Sequence, residues 1–187
     1  GYSLAILDNG GKIVGIDRDA DAIAYARERF YKEAPQKEEG KDWIILQDNF
    51  RNIETICQKL NVKIQGIVLD LGVSSCQLDT KERGFSYRFE DGPLDMRMSK
   101  NEGIPASAII NTYSKEELYD IFARYGEEER AGSIADAIVL ARRINHVTTV
   151  KDLVNVIKPL GGDGNRMLAR VFQALRIAVN DELGSLK

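Results

Sequence analysis

Apolar residues over the first seventy positions fall in short clusters that alternate between helical and strand-like spacing. Tyr2–Asp8 reads as the tail of a helix, and Asn9-Gly10-Gly11 supplies a glycine stop. Lys12–Asp17 (KIVGID) is a short buried strand. Asp19 caps a helix through about Phe30, with Ala22, Ile23, Ala26 and Phe30 on one face. Residues 31–42 are charged and irregular. Trp43–Leu46 is a second strand, Ile53–Leu60 a helix, and Gln65–Asp70 (QGIVLD) a third strand. Strands alternating with helices predict an α/β fold with a parallel, doubly wound sheet.

The periodicity breaks from Leu71 to about Lys100, a stretch rich in Gly, Ser, Asp and Arg. A loop this long inside a compact domain is usually functional or disordered, and its three aromatics and tight turns favour function. Residues 106–158 are helical. Ser114 and Glu117 fit a capping box, with Leu118, Ile121, Phe122 and Tyr125 on one face and Gly126 as the stop. A second helix spans about Glu128–Ile144, and a third Thr149–Lys158, before Pro159. No strand interrupts this block, which reads as a helical lobe inserted into the α/β core. Gly161-Gly162-Asp163-Gly164 is a hinge. From Arg166 onward Leu168, Val171, Phe172, Leu175 and Val179 mark a helix that returns to the sheet. Three segments follow: a core over 1–100 that includes an active-site loop at 71–100, an inserted helical lobe over 101–160, and a returning helix over 161–187.

Composition narrows the choices. Of 187 residues 43% are hydrophobic and 29% charged, enough for one ordinary core with an attached lobe and against disorder. Lys plus Arg number 26 against 29 acids, a net charge of −3, so any nucleic-acid site must be local. Cys57 and Cys76 cannot make a disulfide scaffold, and no Cys/His spacing resembles a zinc site. The longest apolar runs, of about six residues, are far short of a membrane span. With no visible signal peptide, the expected location is the cytoplasm. A start at Gly1 rather than Met, and an end inside a helical pattern, read as part of a longer chain.

Candidate chemistry lies at the strand ends. In doubly wound folds ligands sit outside the carboxyl ends of the strands. Asp17 ends the first visible strand and can accept both ribose hydroxyls of a nucleoside cofactor, or serve only as a turn residue. Asp70 ends the third strand before Gly72, Ser74, Ser75 and Gln77, a rim suited to an amine, an adenine or a nucleobase edge. An Asx-turn is the plainer reading. Phe50, after Gln47-Asp48-Asn49, either stacks on adenine or packs in the core. The stretch Arg83-Gly-Phe85-Ser-Tyr87-Arg88-Phe89 interleaves cations with aromatics, as RNA-binding loops do. Residues 79–100 hold five acids and five bases, however, and a hairpin burying its aromatics is equally consistent. Asp95 and Arg97 alternate in a way that permits a local ion pair. Arg166, Arg170 and Arg176, with Arg142 and Arg143, form either a phosphate-binding face or a solvated helix face. His146 is the only His and has no nucleophile partner or second metal ligand in view, so triad and metal chemistry lack support and no metal is expected.

Six stretches occur together in one order: GIDRD at Gly15–Asp19, LDLGVSSCQLD at Leu69–Asp79, RGFS at Arg83–Ser86, DGPLDMRM at Asp91–Met98, YGEEE at Tyr125–Glu129 and FQALRIAVNDEL at Phe172–Leu183. In these the chain resembles the RsmH (MraW) family of S-adenosylmethionine-dependent methyltransferases, which methylate the N4 amine of a cytidine in small-subunit ribosomal RNA. The resemblance implies a Rossmann-like methyltransferase core with an inserted helical lobe, its N-terminal strand and C-terminal strands missing here. It implies cofactor contacts at Gly1, Tyr2, Asp17, Phe50, Asp70 and Gln77. The chain departs from the family in having Tyr2 where a His is usual, Asn165-Arg166-Met167-Leu168 where a His-Pro pair is usual, and no Ser-Phe-His-Ser stretch. The implied chemistry needs only an acceptor for the amine hydrogens, Asp70 or the Gly72–Ser75 loop with Ser74. Arg83, Phe85, Tyr87, Arg97 and Arg170 are then the candidates for gripping RNA. Small-subunit RNA, the assembling subunit and a second copy of the chain are the expected partners. A nicotinamide enzyme of related fold and a non-catalytic RNA-binding or ribosome-assembly factor are the alternatives.

Overall fold

The computed structural model describes residues 1–161 and 163–186. It has mixed α/β architecture and divides into two compact units, one of Gly1–Leu71 with Ser185 and Leu186, the other of Gly72–Gly184. The division falls after Leu71 rather than near residue 100. The 72–100 loop therefore belongs with the helices and not with the strands. One residue of the expected glycine hinge, Gly162, lies outside the described residues.

In the first unit α1 (Tyr2–Asp8) leads into β1 (Ile13–Asp17), then α2 (Ala20–Glu33), β2 (Trp43–Gln47), a 3-10 turn at Phe50–Asn52, and α3 (Ile53–Leu60). β1 and β2 are parallel, in register from Ile13 opposite Trp43 to Asp17 opposite Gln47. A parallel pair requires a crossover, and α2 supplies it. Asp19 starts α2 by accepting the Asp21 N–H at 3.0 Å. The apolar face of α2 covers Trp43, whose ring meets Phe30 edge-on at 5.1 Å. Leu7, Ile23 and Ile45 complete this small core.

The third strand expected at Gln65–Asp70 does not form. The segment is extended but pairs with neither β1 nor β2, and Ile67, Val68 and Leu69 are 62%, 60% and 55% exposed. A strand is fixed by its ladder of backbone bonds, and this segment makes none with the free edge of β1 or of β2. Its apolar composition nevertheless marks it as a strand by sequence.

The second unit begins with a short helix, α4 (Ser75–Asp79), and a 3-10 turn at Lys81–Arg83. Five helices follow: α5 (Ala106–Thr112), α6 (Lys115–Gly126), α7 (Ala131–Arg142), α8 (Val150–Ile157) and α9 (Gly164–Asn180). Their apolar faces form one core that also takes in Phe85, Leu94 and Met96 from the loop. The loop is zipped to the segment before α8: Leu94 N–H donates to the Thr148 carbonyl and Val150 N–H to the Gly92 carbonyl, each at 2.9 Å. Side chains cap three of the helices in reciprocal boxes, Ser74 with Gln77, Ser114 with Glu117 and Thr149 with Asp152.

The spacing of Leu168, Val171, Phe172, Leu175 and Val179 predicts a helix that returns to the sheet. Instead α9 packs chiefly on α6, and also on α5 and α8. The closest approach is at Gly126, where an added Cβ would lie 2.8 Å from the Arg170 carbonyl oxygen. Only glycine lets the end of α6 sit that near the α9 backbone.

Phe122 on α6 is fully buried in this core. Phe122→Ala is expected to lower unfolding free energy by about 3–5 kcal/mol, measured by urea denaturation. A loss below about 1 kcal/mol would mean that the α6 face is not packed as described.

Candidate functional site

A parallel strand pair sends both carboxyl ends to one edge, and here that edge carries polar side chains. Asp17 closes β1 opposite Gln47, and the Asp48 N–H extends the ladder to the Asp17 carbonyl at 2.9 Å. The Asp17 carboxylate accepts the Asp19 N–H through Oδ1 at 2.8 Å. No hydrogen bond among the described residues reaches Oδ2. The turn role and the ligand role set out from the sequence are thus compatible, one oxygen for each. Partial burial pushes the Asp17 carboxyl above its ordinary range. The Asp19 N–H pulls it down, and the negative charge of Asp19 adds to the rise.

Just past β2, Asp48 Oδ1 accepts from the Asn49 N–H and from Asn52 Nδ2, both at 2.7 Å. Asn49 in turn caps the 3-10 turn by accepting the Arg51 N–H at 3.1 Å. Asn49 Nδ2 and an Arg51 guanidinium nitrogen also donate to the Ser185 hydroxyl, at 3.2 and 3.0 Å. This network fixes the turn that begins with Phe50. Phe50 is half-buried and is not part of the core of its unit.

Other candidates of the first unit are less constrained. Gly1 is the N-cap of α1, and Tyr2 is 71% exposed. Asp70 is exposed on the extended segment that follows the unformed strand.

In the second unit Ser74 Oγ accepts the Gln77 N–H at 3.2 Å, while Gln77 Oε1 accepts the Ser74 N–H at 3.0 Å. Gln77 is 5% exposed, and its carbonyl oxygen holds the turn. Ser74 is exposed and keeps a hydroxyl proton to donate.

Two candidates for gripping RNA are displaced from that role. Arg83 is 3% exposed, and one of its guanidinium nitrogens donates to the carbonyls of Arg97 and Met98 at 3.1 and 3.0 Å. Phe85 is 6% exposed and packs in the helical core. The alternation of cations and aromatics reads as RNA-facing by composition, but burial of the aromatics under the loop carries the cation inward to satisfy backbone carbonyls. Tyr87 stays half-buried, its ring edge-on to Phe172 at 5.7 Å. Arg97 makes the expected ion pair, holding Asp95 through two nitrogens at 2.8 and 2.9 Å. Burial works to raise the Asp95 carboxyl, but this guanidinium and the Arg97 N–H keep it below its ordinary range. Arg170 lies 3.7 Å from buried Glu128.

Asn180 was given no role by the sequence reading, although it stands in the Phe172–Leu183 stretch. It is 3% exposed, accepts the Met98 N–H at 2.8 Å, and donates to the carbonyls of Met96 and Arg176 at 2.8 and 2.9 Å. Arg83 and Asn180 together fix three successive carbonyls, Met96 to Met98, in a turn where Met96 has φ 62°. An Asn beside apolar helix positions was the only signal in sequence.

The description of the MraW methylase family matches residues 1–187, the whole chain. Curated relatives agree. A protein of Halothermothrix orenii named ribosomal RNA small subunit methyltransferase H is 43% identical over 97% of the chain and 58% of its own length. Ribosomal RNA small subunit methyltransferase H 2 of Agathobacter rectalis is 42% identical over the same shares. The protein of that first name in Chlorobium phaeobacteroides is 43% identical over the whole chain and 60% of its own length. The chain thus spans somewhat more than half of the relatives it matches.

Removing the Asn180 amide leaves buried backbone groups of Met96 and Met98 without partners, at about 1–3 kcal/mol for each. Asn180→Ala is expected to lower the melting temperature and to speed amide exchange at Met98. An unchanged Met98 exchange rate would contradict the clamp.

Proposed function

The chain belongs to the MraW methylase family, and from that premise we propose that the protein transfers a methyl group from S-adenosylmethionine to the N4 amine of a cytidine in small-subunit ribosomal RNA. The observation that carries the reading is the strand edge: a carboxylate with one free oxygen, in register with a neighbouring strand whose next turn presents an aromatic ring outside the core. The donor set fits the cofactor. A carboxylate takes paired ribose hydroxyls, and a ring takes an adenine face. β1, α2 and β2 are, on this reading, part of a doubly wound Rossmann-like core.

Bound there, the cofactor supplies an electrophilic methyl group, and no nucleophilic side chain is required. Asp17 would hold the ribose hydroxyls. Phe50, its turn braced by Asp48 and Asn49, would cover the adenine. Gly1 and Tyr2 would serve the methionine end. The remaining task is on the amine. Cytosine N4 is conjugated and weakly nucleophilic, so an acceptor aimed at its hydrogens must stabilise the positive charge that develops. Asp70 or the Ser74 oxygen is assigned that role. Gln77 positions Ser74 through the capping box. Arg83 and Phe85 act from within by shaping the loop, leaving Tyr87, Arg97 and Arg170 as the RNA contacts.

Paired hydroxyls bond an ionised carboxylate more strongly than its protonated form, which keeps fewer acceptor sites. Because the Asp17 carboxyl is raised, cofactor affinity should fall as pH drops through a value above that of an ordinary aspartate. In the full-length protein Asp17→Asn is expected to weaken S-adenosylmethionine binding by about 10- to 100-fold and to abolish that pH dependence, as read by calorimetry. Unchanged affinity, or intact protein that binds small-subunit RNA but transfers no labelled methyl, would overturn the reading.

A further inference from the structure

The second unit contains a groove of about 440 Å³, within the size range of small-ligand sites, and the cofactor reading makes no use of it. One wall is the loop from Ser86 to Arg88 and the other is one face of α9, including Phe172, Gln173 and Arg176.

Three features make it a prepared surface. Tyr87 stands edge-on to Phe172 at 5.7 Å, so packing on one edge fixes its half-buried ring. Ser86, itself 7% exposed, accepts the Arg88 N–H and Arg88 Nε, both at 3.3 Å, and a terminal nitrogen of the same exposed guanidinium lies 3.6 Å from exposed Asp79, a solvent-screened pair that a phosphate can displace. Across from it Arg176 is gripped by Glu182 through Nε and one terminal nitrogen, at 2.7 and 3.1 Å. Its other terminal nitrogen is left to donate. Gln173 is exposed on the same wall, its amide nitrogen donating to the Tyr125 carbonyl at 3.4 Å.

A fixed aromatic ring and two arginines lining one groove are the components that take an unstacked base together with its backbone phosphate. No carboxylate is among the lining residues described, and the two beside the groove, Asp79 and Glu182, are engaged by the arginines. The groove is built to hold a base rather than to react with one. We infer that it is a subsite for a nucleotide flanking the methylated cytidine, with its base on Tyr87 and its phosphate between Arg88 and Arg176. This rests on the RNA substrate proposed above.

The test uses full-length protein and a fluorescently labelled single-stranded RNA of the small-subunit sequence, read by anisotropy. Arg88→Glu and Gln173→Ala alter exposed side chains and should leave the fold intact. Arg88→Glu should weaken RNA binding about tenfold and lower the salt slope by about one contact, with S-adenosylmethionine affinity unchanged. Tyr87→Leu should cost about tenfold, and RNA lacking one flanking base should bind the wild type less well but Tyr87→Leu equally. Methyl transfer by Arg88→Glu should show a raised KM for RNA at unaltered kcat. RNA affinity, salt slope and KM all at wild-type values in Arg88→Glu would overturn the subsite while leaving methyl transfer standing. Wild type that transfers no methyl yet loses RNA affinity on Arg88→Glu would remove the functional reading and keep the groove.

Discussion

Parallel pairing of two short strands is the constraint from which the site follows. Because β1 and β2 run the same way and in register, their carboxyl ends fall together, and whatever each strand carries at its tip becomes one surface. Asp17 and Gln47 are opposite each other for that reason, and the Asp48 to Phe50 turn stands beside them. An antiparallel hairpin of the same residues would put Asp17 at one end and Gln47 at the other. The crossover that enforces parallel pairing, α2, begins at Asp19, and the N–H of that cap holds Asp17 Oδ1. The same two residues therefore start the helix and orient the carboxylate.

The helical unit solves a different problem. A loop of almost thirty residues has backbone groups that neither a ladder nor a helix satisfies, and burying them bare is costly. Two side chains from distant points in the chain, Arg83 and Asn180, take over three successive carbonyls and one N–H. Reciprocal caps at Ser74 and Thr149 close helix ends on either side. A residue with no obvious chemistry, Asn180, is thereby coupled to the order of a loop that carries the candidate RNA contacts.

Much of this was legible because periodicity reports burial. The α6 face at Leu118, Ile121 and Phe122 and the Ser114–Glu117 box emerged as expected, since both depend on local spacing alone. Asp17 at a strand tip was legible for the same reason. Pairing is not local, which is why Gln65–Asp70 looked like a strand and is not one here. The fate of Arg83 was hidden because composition does not say which way a loop folds over its aromatics. Burial of Phe85 turned that cation inward, while Tyr87 and Arg88 of the same stretch stay half-buried and exposed. Gln77 and Ser74 were singled out for chemistry. Their mutual hydrogen bonds show that a polar pair three residues apart first satisfies the backbone.

The strand-edge account makes one direct demand: the methyl donor must meet the first unit at the tips of β1 and β2. Hydrogen exchange of the full-length protein, with and without S-adenosylmethionine, reads this residue by residue. The account predicts slowed exchange at Arg18–Asp19 and across Asp48–Asn52. Slowed exchange confined to other segments, with these amides unaffected at saturating cofactor, would contradict it.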